Sequence, residues 1–347
     1  MSSGIFFRSQ PPSRPGKPWV ICIHGLGMSE KSWTDPCSES LMDGRLSFDF
    51  LLTDLDHPPS AKTWEVSMGR SFFLSTPLRL RRPLPDSFWQ FLGKEGWGLI
   101  VWSQKKPRGS ISFALKELQA ILKELPLREP VVFLAHSRGG LVARKYLQER
   151  LSGWQRIKAL ILLGTPHHGS QIAAWAISLG KGGLASFMTK SVLSVLKFIP
   201  FPRPDGLSSL SFRSLQSYLR NPAFAELSPN SLLIREMNRL ESVEKENQIP
   251  YFNFIGLQTT YLRIYRQINF GPRPMVPVFS LLGGLEKIFP HSLLPPELRQ
   301  GRGDGQVSGK SAHLPWASYN QTFPFNHAQL LVAPPVQNRV RQILEEL

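Results

Sequence analysis

Short apolar stretches recur along the chain, and segments with helical spacing of apolar residues lie between them. Five of the stretches are continuous and rich in β-branched residues, a pattern typical of strands buried on both faces. They cover residues 19–24, 98–103, 131–135, 157–163 and 249–257. Apolar positions three and four residues apart predict helices over 111–125 and 141–150. This alternation of strands and helices indicates an α/β fold, with a mostly parallel sheet covered by helices on both faces.

The remaining segments are less regular. Residues 1–17 are polar and rich in Pro and Ser, which predicts a flexible lead-in, and residues 28–95 show no clear period. An insertion at 171–245 carries apolar residues on one helical face between positions 184 and 199. We interpret it as an inserted helical cap, although a helix packed on the core fits the pattern equally well. A second insertion at 259–300 is predicted to be irregular, and the whole chain of 347 residues is predicted to form a single domain.

A serine follows the third predicted strand. Ser137 lies in the string Ala-His-Ser-Arg-Gly-Gly, between that strand and the helix after it. A hydroxyl needs an adjacent base to become a nucleophile at neutral pH. A tight strand-to-helix turn lifts such a hydroxyl clear of the sheet and requires small residues two positions to either side. Ala135 and Gly139 occupy those positions, so Ser137 is the candidate nucleophile.

Attack on a carbonyl also requires N–H donors for the oxyanion. One donor in such a site is the backbone N–H of the residue after the nucleophile, here Arg138. The other comes from the loop after the first central strand, which reads His-Gly-Leu-Gly, and we assign it to the backbone N–H of Leu26. We expect His24, the first residue of this loop, to shape the loop rather than to act as a base.

In such sites the three catalytic residues occur along the chain in the order serine, acid, histidine, so the acid must follow Ser137. Asp205 and Asp304 are the two aspartates beyond that position. Asp205 lies in a Pro-rich part of the insertion and is interpreted as a turn residue. Asp304 lies in Gly-Asp-Gly-Gln-Val-Ser, a turn suited to the end of a strand, and is the predicted acid.

The base must be a histidine beyond the acid. His167 and His168 come directly after the fourth predicted strand, too early in the chain. His313 is only nine residues beyond Asp304, whereas His327 follows a further strand-length stretch and precedes the C-terminal helix. His327 is therefore the predicted base, and His313 is the alternative.

Four separated motifs resemble those of bacterial triacylglycerol lipases of the α/β-hydrolase superfamily. They are the Ala-His-Ser-Arg-Gly-Gly turn, Thr-Pro-His-His-Gly-Ser at 165–170, the Asp-Gly-Gln-Val turn that leads to His-Leu at 313–314, and Asn-His at 326–327. The segment 227–238 is also similar to the one that returns from the lipase lid. The resemblance covers about 18–30, 98–170, 224–258 and 301–332.

The resemblance implies a specific chemistry. It implies a Ser137–Asp304–His327 triad, argues against His313, and predicts a carboxylic-ester hydrolase that forms an acyl-enzyme. The same triad would also suit phospholipids, other acyl esters or thioesters as substrates. A basic membrane- or partner-binding protein on a hydrolase scaffold is the alternative outside the enzymes.

The chain departs from the lipase pattern at two positions. Many of these lipases bind calcium through an aspartate two residues after the catalytic histidine, where this chain has Gln329. We therefore predict no calcium, no other metal and no cofactor. The residue after the nucleophile is Arg138, whose long cationic side chain either lies in the junction of sheet and helix or favours anionic substrates.

Charge adds an expectation about partners. The chain has 41 Lys and Arg against 25 Asp and Glu, a formal net charge of +16. Such a surface favours acidic lipid headgroups or anionic substrates, and peripheral contact with an anionic membrane is compatible with it. No nucleic-acid motif accompanies the charge, so nucleic acid is not expected as a partner. Without a secretory leader or a membrane-spanning apolar run, the location we expect is the cytoplasm.

Overall fold

The computed structural model describes residues 5–13, 16–41, 46–48, 63–66, 78–81, 86–126, 129–178, 220–260, 263–267, 275–280 and 290–347. The strands in these ranges are β1 (Phe7–Gln10), β2 (Trp19–Ile23), β3 (Ser40–Leu41), β4 (Leu46–Ser47), β5 (Thr63–Val66), β6 (Leu78–Arg81), β7 (Gly98–Trp102), β8 (Val131–His136), β9 (Ile157–Leu163), β10 (Tyr251–Gly256), β11 (Arg263–Gln267), β12 (Met275–Ser280) and β13 (Tyr319–Phe323). The helices are α1 (Lys31–Thr34), α2 (Phe88–Lys94), α3 (Ile111–Glu124), α4 (Arg138–Gln148), α5 (Gln171–Ser178), α6 (Pro222–Leu227), α7 (Leu232–Arg239), α8 (Glu241–Glu246), α9 (Gly309–Ala312) and α10 (Pro334–Glu346). Short 3₁₀ helices lie at Pro36–Ser38, Trp154–Arg156, His291–Leu293, Pro296–Leu298 and Gln329–Leu331.

A seven-stranded sheet in the order β1-β7-β2-β8-β9-β10-β13 forms the centre of the molecule. Its strands from β7 to β13 are parallel, and β1 joins the edge antiparallel to β7. The five strands predicted from the apolar runs are all in this sheet, with ends that differ from the prediction by two residues at most. The predicted fold class, a mostly parallel α/β sheet, is confirmed.

Burial on both faces explains the continuous apolar runs. In β2, Trp19, Ile21 and Ile23 pack with α3 and α4, whereas Val20 and Cys22 pack with α2 and α10. Successive side chains of a strand point to opposite faces, so a strand covered on both sides needs apolar residues at every position. The two layers of helices thus enclose the sheet and hold its strand ends in fixed positions.

Helix α4 begins earlier than its apolar pattern predicted. It starts at Arg138, directly after Ser137, rather than at residue 141. Arg138, Gly139 and Gly140 have no apolar periodicity, which is why sequence alone missed this first turn. All three are buried, and the helix therefore starts inside the molecule beside the predicted nucleophile.

Residues 1–17 are not simply a flexible lead-in, because β1 lies within them. Its sequence is polar, and Arg8 and Ser9 are exposed. The strand is attached by backbone pairing with β7 and by the Arg8 guanidinium, which lies 4.9 Å from the centre of the Trp89 ring. An edge strand needs no continuous apolar run, so its sequence carried no signal.

The second insertion, 259–300, is also not wholly irregular. It contains β11 and β12, which pair with each other, and β11 also pairs with β6 from the 28–95 segment, next to β5, in a four-stranded antiparallel sheet. Because β6 and β11 are so far apart along the chain, their pairing leaves no local turn signal.

The cap is described only at its two ends. Helix α5 begins the insertion, and α6, α7 and part of α8 end it, while the predicted helix at 184–199 lies outside the described residues. The cap and the single-domain organisation therefore stay predictions. Over the described ranges, no helix combines the length and the apolar character needed to cross a bilayer.

Candidate active site

The predicted site residues lie at the carboxyl edge of the central sheet. Strand β2 lies between β7 and β8 in the sheet. After β2 the chain forms β7 on one side of it and then β8 on the other side, so the strand order reverses at β2. Ligands of open α/β sheets bind outside the strand ends at such a reversal of strand order. The loop after β2 and Ser137 after β8 both lie at this point.

The turn at Ser137 is tight and strained. Ser137 has φ 56° and ψ −128°, an uncommon conformation for a residue with a side chain, and its N–H donates to Leu163 O at 2.8 Å. A Cβ at Gly139 would come within 2.3 Å of Ile23 O, and one at Gly140 within 1.9 Å of Thr165 Oγ1. The small residue predicted at Gly139 is therefore required, and the equal requirement at Gly140 was missed.

Asp304 and His327 lie together, as the sequence order predicted. Asp304 Oδ2 is 2.7 Å from His327 Nδ1, and Asp304 Oδ1 accepts from the N–H groups of Gln306 and Val307 at 2.9 and 2.7 Å. An ionised carboxylate only accepts, so the proton of the neutral imidazole is on Nδ1 and Nε2 is free to act as a base. His313, the alternative base, is exposed and lies near His168.

Among the described residues no hydrogen bond joins Ser137 and His327, although the ring of His136, the residue before Ser137, lies 4.6 Å from the His327 ring. His327 Nε2 is buried and has no partner among the described residues. Leu163 O receives the Ser137 N–H, and a Cβ on the next residue, Gly164, would lie 3.0 Å from His327 Nδ1. Catalytic hydrogen bonds are often long in free enzymes and tighten around the substrate. The structure thus brings acid and base into contact and leaves the contact of base and serine unformed.

The two predicted oxyanion donors have unoccupied N–H groups. In the described part of the chain, neither the Leu26 nor the Arg138 backbone N–H has an acceptor. The first N–H groups of any helix lack partners within it, which leaves that of Arg138 available. A Cβ at Gly25 would lie 3.1 Å from Ser137 Cβ, so the loop that carries Leu26 passes directly beside the serine.

His24 holds this loop in place. Its Nε2 accepts from Gln104 N–H at 3.0 Å, which puts the proton on Nδ1, and Nδ1 donates to Gly25 O at 2.9 Å. Burial is the main cause that lowers the pKa of His24 to about 4. The residue is neutral at pH 7, in the loop-shaping role expected from its position.

His136 was missed by the sequence reasoning. Its Nε2 lies 2.9 Å from the backbone oxygen of His327, and because a carbonyl only accepts, this nitrogen donates. The two rings are 4.6 Å apart, and burial, followed by the proximity of His327, lowers the pKa of His136 well below its ordinary value. His136 is therefore a neutral positioning residue for His327. The His-Ser pair in the motif is the one signal that could have identified it.

The Arg138 side chain lies in the junction of sheet and helix, one of the two predicted alternatives. Its guanidinium is buried, donates to Gly109 O at 2.5 Å, and lies 3.4 Å from Glu226 Oε2. Glu226 also accepts from Ser110 Oγ at 2.5 Å and from Ile111 N–H at 2.9 Å, at the start of α3. The pair thus joins α4 to α3 and to α6, and Arg138 does not itself face a substrate.

Gln329 lies at the position of the lipase calcium ligand. Its side-chain oxygen accepts from Asn326 N–H at 2.9 Å, and its own N–H donates to Asn326 Oδ1 at the same distance. These reciprocal bonds fix the turn that carries His327. No group of three or more His, Cys, Asp or Glu side chains in the described ranges is arranged to hold a metal ion.

Known proteins share this architecture. A family model described as alpha/beta hydrolase fold matches residues 18–314. The mature form of a Bacillus licheniformis lipase superposes with a TM-score of 0.56 at 17% identity and covers 98% of both chains. Protein SERAC1 of Homo sapiens is 27% identical over 179 residues, which are 48% of this chain and 24% of that protein. SERAC1 of Danio rerio is 33% identical over 92 residues, 23% of this chain and 14% of that protein.

The extent of these matches decides what they show. The aligned regions span about a quarter or less of the two SERAC1 proteins. The lipase, at 17% identity, shows the fold alone. The family model, in contrast, matches most of the chain and includes the β2 loop and the Ser137 turn. On that match the chain belongs to the α/β-hydrolase family.

Proposed function

We propose that this protein is a serine carboxylic-ester hydrolase of the lipase or esterase type. The observation that carries the proposal is the pair of Asp304 and His327, 2.7 Å apart, with the other ring nitrogen of His327 buried and without a partner among the described residues. Ser137 lies on a strained turn between a strand and a helix, and the ring of the residue before it, His136, is 4.6 Å from the His327 ring. Titratable groups that are oriented and left unsatisfied in this way are typical of catalytic sites.

The proposed reaction has two stages, acylation of Ser137 and its hydrolysis, and both use these residues. Ser137 Oγ attacks the ester carbonyl while His327 Nε2 takes its proton, and the oxyanion is bound by the N–H groups of Leu26 and Arg138. His327 then returns the proton to the leaving alcohol, which produces an acyl-enzyme on Ser137. Water, activated by the same nitrogen, releases the acid and restores the serine. Asp304 holds the imidazole in the tautomer that this sequence of steps requires.

Support for an ester substrate comes from the motifs and from one relative. The structurally similar Bacillus licheniformis protein is named a lipase. The motif resemblance also leads to lipases, whose substrates are carboxylic esters of glycerol. We therefore place carboxylic esters before thioesters, and keep phospholipids among the candidate esters.

The test uses a fluorophosphonate, which reacts with an activated serine whatever the natural substrate is. We expect intact-mass analysis to find one adduct on the wild-type protein and none on Ser137→Ala. The matched control is Ser318→Ala, which removes an exposed serine and should leave the adduct intact. Circular dichroism confirms that each variant is folded. No adduct on folded wild-type protein, with and without detergent, refutes the proposed function and favours the non-catalytic binding protein.

A further inference from the structure

A cavity of about 610 Å³ lies beside the loop that carries the predicted oxyanion donor Leu26. Gly27 and Met28 form one wall, and residues 105–109 form another. A Cβ at Gly25 would lie 3.1 Å both from Met28 Sδ and from Ser137 Cβ. Met28 in the wall of the cavity and the predicted nucleophile therefore both lie close to a single glycine.

The cavity is strongly basic. Its lining residues include Lys31, Lys105, Lys106 and Arg108 and one acidic residue, Glu39. In the described part of the chain, the ammonium groups of Lys31 and Lys105 have no acidic partner within salt-bridge distance. The Lys106 ammonium lies 4.1 Å from the centre of the Phe113 ring, a contact that does not neutralise its charge.

Glu39 forms no ion pair with Lys31, Lys105 or Lys106 in the described part of the chain, and its carboxylate accepts hydrogen bonds from the backbone instead. Its Oε2 accepts from Ser29 N–H at 2.8 Å and from Ser32 N–H at 3.1 Å, and its Oε1 accepts from Ser40 N–H at 2.9 Å. The residue is only 4% exposed. Its hydrogen bonds fix the loop opposite the lysines, and among the described lining residues Lys31, Lys105 and Lys106 outnumber this one carboxylate.

The basic wall is held against the oxyanion loop. Gln104 N–H donates to His24 Nε2 at 3.0 Å, and Gly27 N–H donates to Pro107 O at 3.1 Å. These two bonds join residues 104–107 to both ends of the loop that carries Leu26. A fixed concave wall with one sign of charge concentrates counter-ions and binds them with little loss of entropy.

The other side of the same wall is also fixed. Gly109 O accepts from the Arg138 guanidinium at 2.5 Å, and Arg108 O accepts from Ala223 N–H at 3.3 Å. The sequence left open whether Arg138 selects anionic substrates. In the structure Arg138 anchors the backbone at Gly109, so the residues at 105–108 are the ones that can contact an anion.

We infer that this cavity binds an anionic group of the ester substrate, a phosphate or a carboxylate, and so selects anionic esters. The inference rests on the proposed function and names the substrate class of that same site. Ammonium groups bind phosphate and carboxylate oxygens by charge-assisted hydrogen bonds. Because the cavity adjoins the oxyanion loop, a substrate can occupy it while its carbonyl lies at Ser137.

The experiment compares matched esters below their critical micelle concentrations. For an anion on the alcohol side, the pair is 1-decanoylglycerol 3-phosphate and neutral 1-decanoylglycerol. For an anion on the acyl side, it is mono-p-nitrophenyl glutarate and p-nitrophenyl valerate. We expect the wild-type protein to favour the anionic member of at least one pair by about tenfold in kcat/KM, and we expect this ratio to decrease with added salt.

Two double variants test the residues. Lys105→Met with Lys106→Met should reduce the anionic-to-neutral ratio by about tenfold, since two partly solvated cations are lost. Lys116→Met with Lys123→Met removes the same charge from exposed positions of α3 and should keep the wild-type ratio. Thermal unfolding of both variants confirms that each is folded.

The outcomes separate this inference from the proposed function. If Ser137 is labelled by the fluorophosphonate but the wild-type protein shows no anionic preference in either pair, the inference is wrong and the proposed function stands. The inference is also wrong if the ratio is the same in the Lys105/Lys106 variant and in the wild-type protein. If Ser137 is not labelled and no ester is cleaved, it is the proposed function that fails.

Discussion

At the scale of single residues, three buried imidazoles surround the predicted chemistry in different protonation roles. His24 donates to the loop beside Ser137, His136 donates to the backbone of His327, and His327 presents an open nitrogen. Burial lowers the pKa of His24 and of His136, so both stay neutral at pH 7. Because His136 is neutral, it does not repel the positive charge that develops on His327 when His327 takes a proton, which suits the role of His327 as a base.

The first prediction distinguishes the two candidate bases. His327→Ala should lower kcat by about 10⁶-fold, because it removes the group that takes the proton of Ser137. His313→Ala should leave kcat within about twofold of the wild-type value, since His313 is exposed and Asp304 is paired with His327. Steady-state hydrolysis of a p-nitrophenyl ester measures both. An equal loss in the two variants would contradict the assignment.

The pKa of His24 predicts how stability depends on pH. The folded protein holds this pKa at about 4, below the ordinary histidine value of 6.5. Between pH 6.5 and about 4 the unfolded chain therefore binds a proton that the folded chain does not, and stability decreases as the pH falls. This one group should account for about 3 kcal/mol by the lower end of that window.

The measurement is urea unfolding at several pH values between 7 and 4. His24→Gln retains an acceptor for Gln104 N–H but cannot titrate, so its stability should decrease less steeply than that of the wild-type protein. His136 and His167, whose pKa values are also lowered mainly by burial, contribute in both proteins, so the comparison isolates His24 and its smaller effect on His136. His313→Gln controls for the loss of an exposed histidine. Identical slopes for wild type and His24→Gln would disprove the prediction.

At the scale of elements, Arg138 and Glu226 connect three helices around the site. Arg138 belongs to the first turn of α4, Glu226 belongs to α6 at the end of the insertion, and the same carboxylate bonds to Ile111 N–H at the start of α3. Since the predicted oxyanion donor is the N–H of Arg138 itself, this ion pair also fixes the backbone on which the donor lies.

Glu226→Ala should destabilise the protein by about 3 kcal/mol, because it leaves the Arg138 guanidinium buried without its carboxylate partner. The control is Glu246→Ala, which breaks the exposed 3.1 Å pair with Arg150 and should cost about 0.5 kcal/mol or less. Urea midpoints at an unchanged m-value measure both losses. If the two variants lose equal stability, the buried pair does not connect the helices energetically.

The same scale shows what sequence could and could not predict. The central strands were predictable because burial on both faces leaves a continuous apolar run, as in β8. The polar edge strand β1 and the paired strands β6 and β11 were not, because their partners are remote in the chain. For the site, turn chemistry and chain order predicted Asp304 and His327, which the structure places 2.7 Å apart. The roles of His136 and Glu226 depend on contacts with distant residues, which no local pattern encodes.

At the scale of the whole molecule, the formal net charge of +16 is far larger than the charge of the cavity beside Ser137. Positive charge spread over the protein surface attracts an anionic membrane at separations up to about a Debye length. A basic cavity instead binds one anionic group of a substrate at contact distance. The two effects should therefore respond differently to the same substitutions.

Peripheral binding to an anionic membrane tests the molecular charge. We expect the protein to co-sediment with phosphatidylcholine vesicles that contain about 30% phosphatidylglycerol at low salt, to be released near 0.5 M NaCl, and not to bind pure phosphatidylcholine. Lys105→Met with Lys106→Met removes only two of 41 cationic residues, so vesicle binding should change far less than the selectivity between esters. A loss of vesicle binding as large as the loss of selectivity would mean that the cavity is itself the membrane contact. Absence of binding at low salt would mean that the net charge does not attach this protein to anionic lipid.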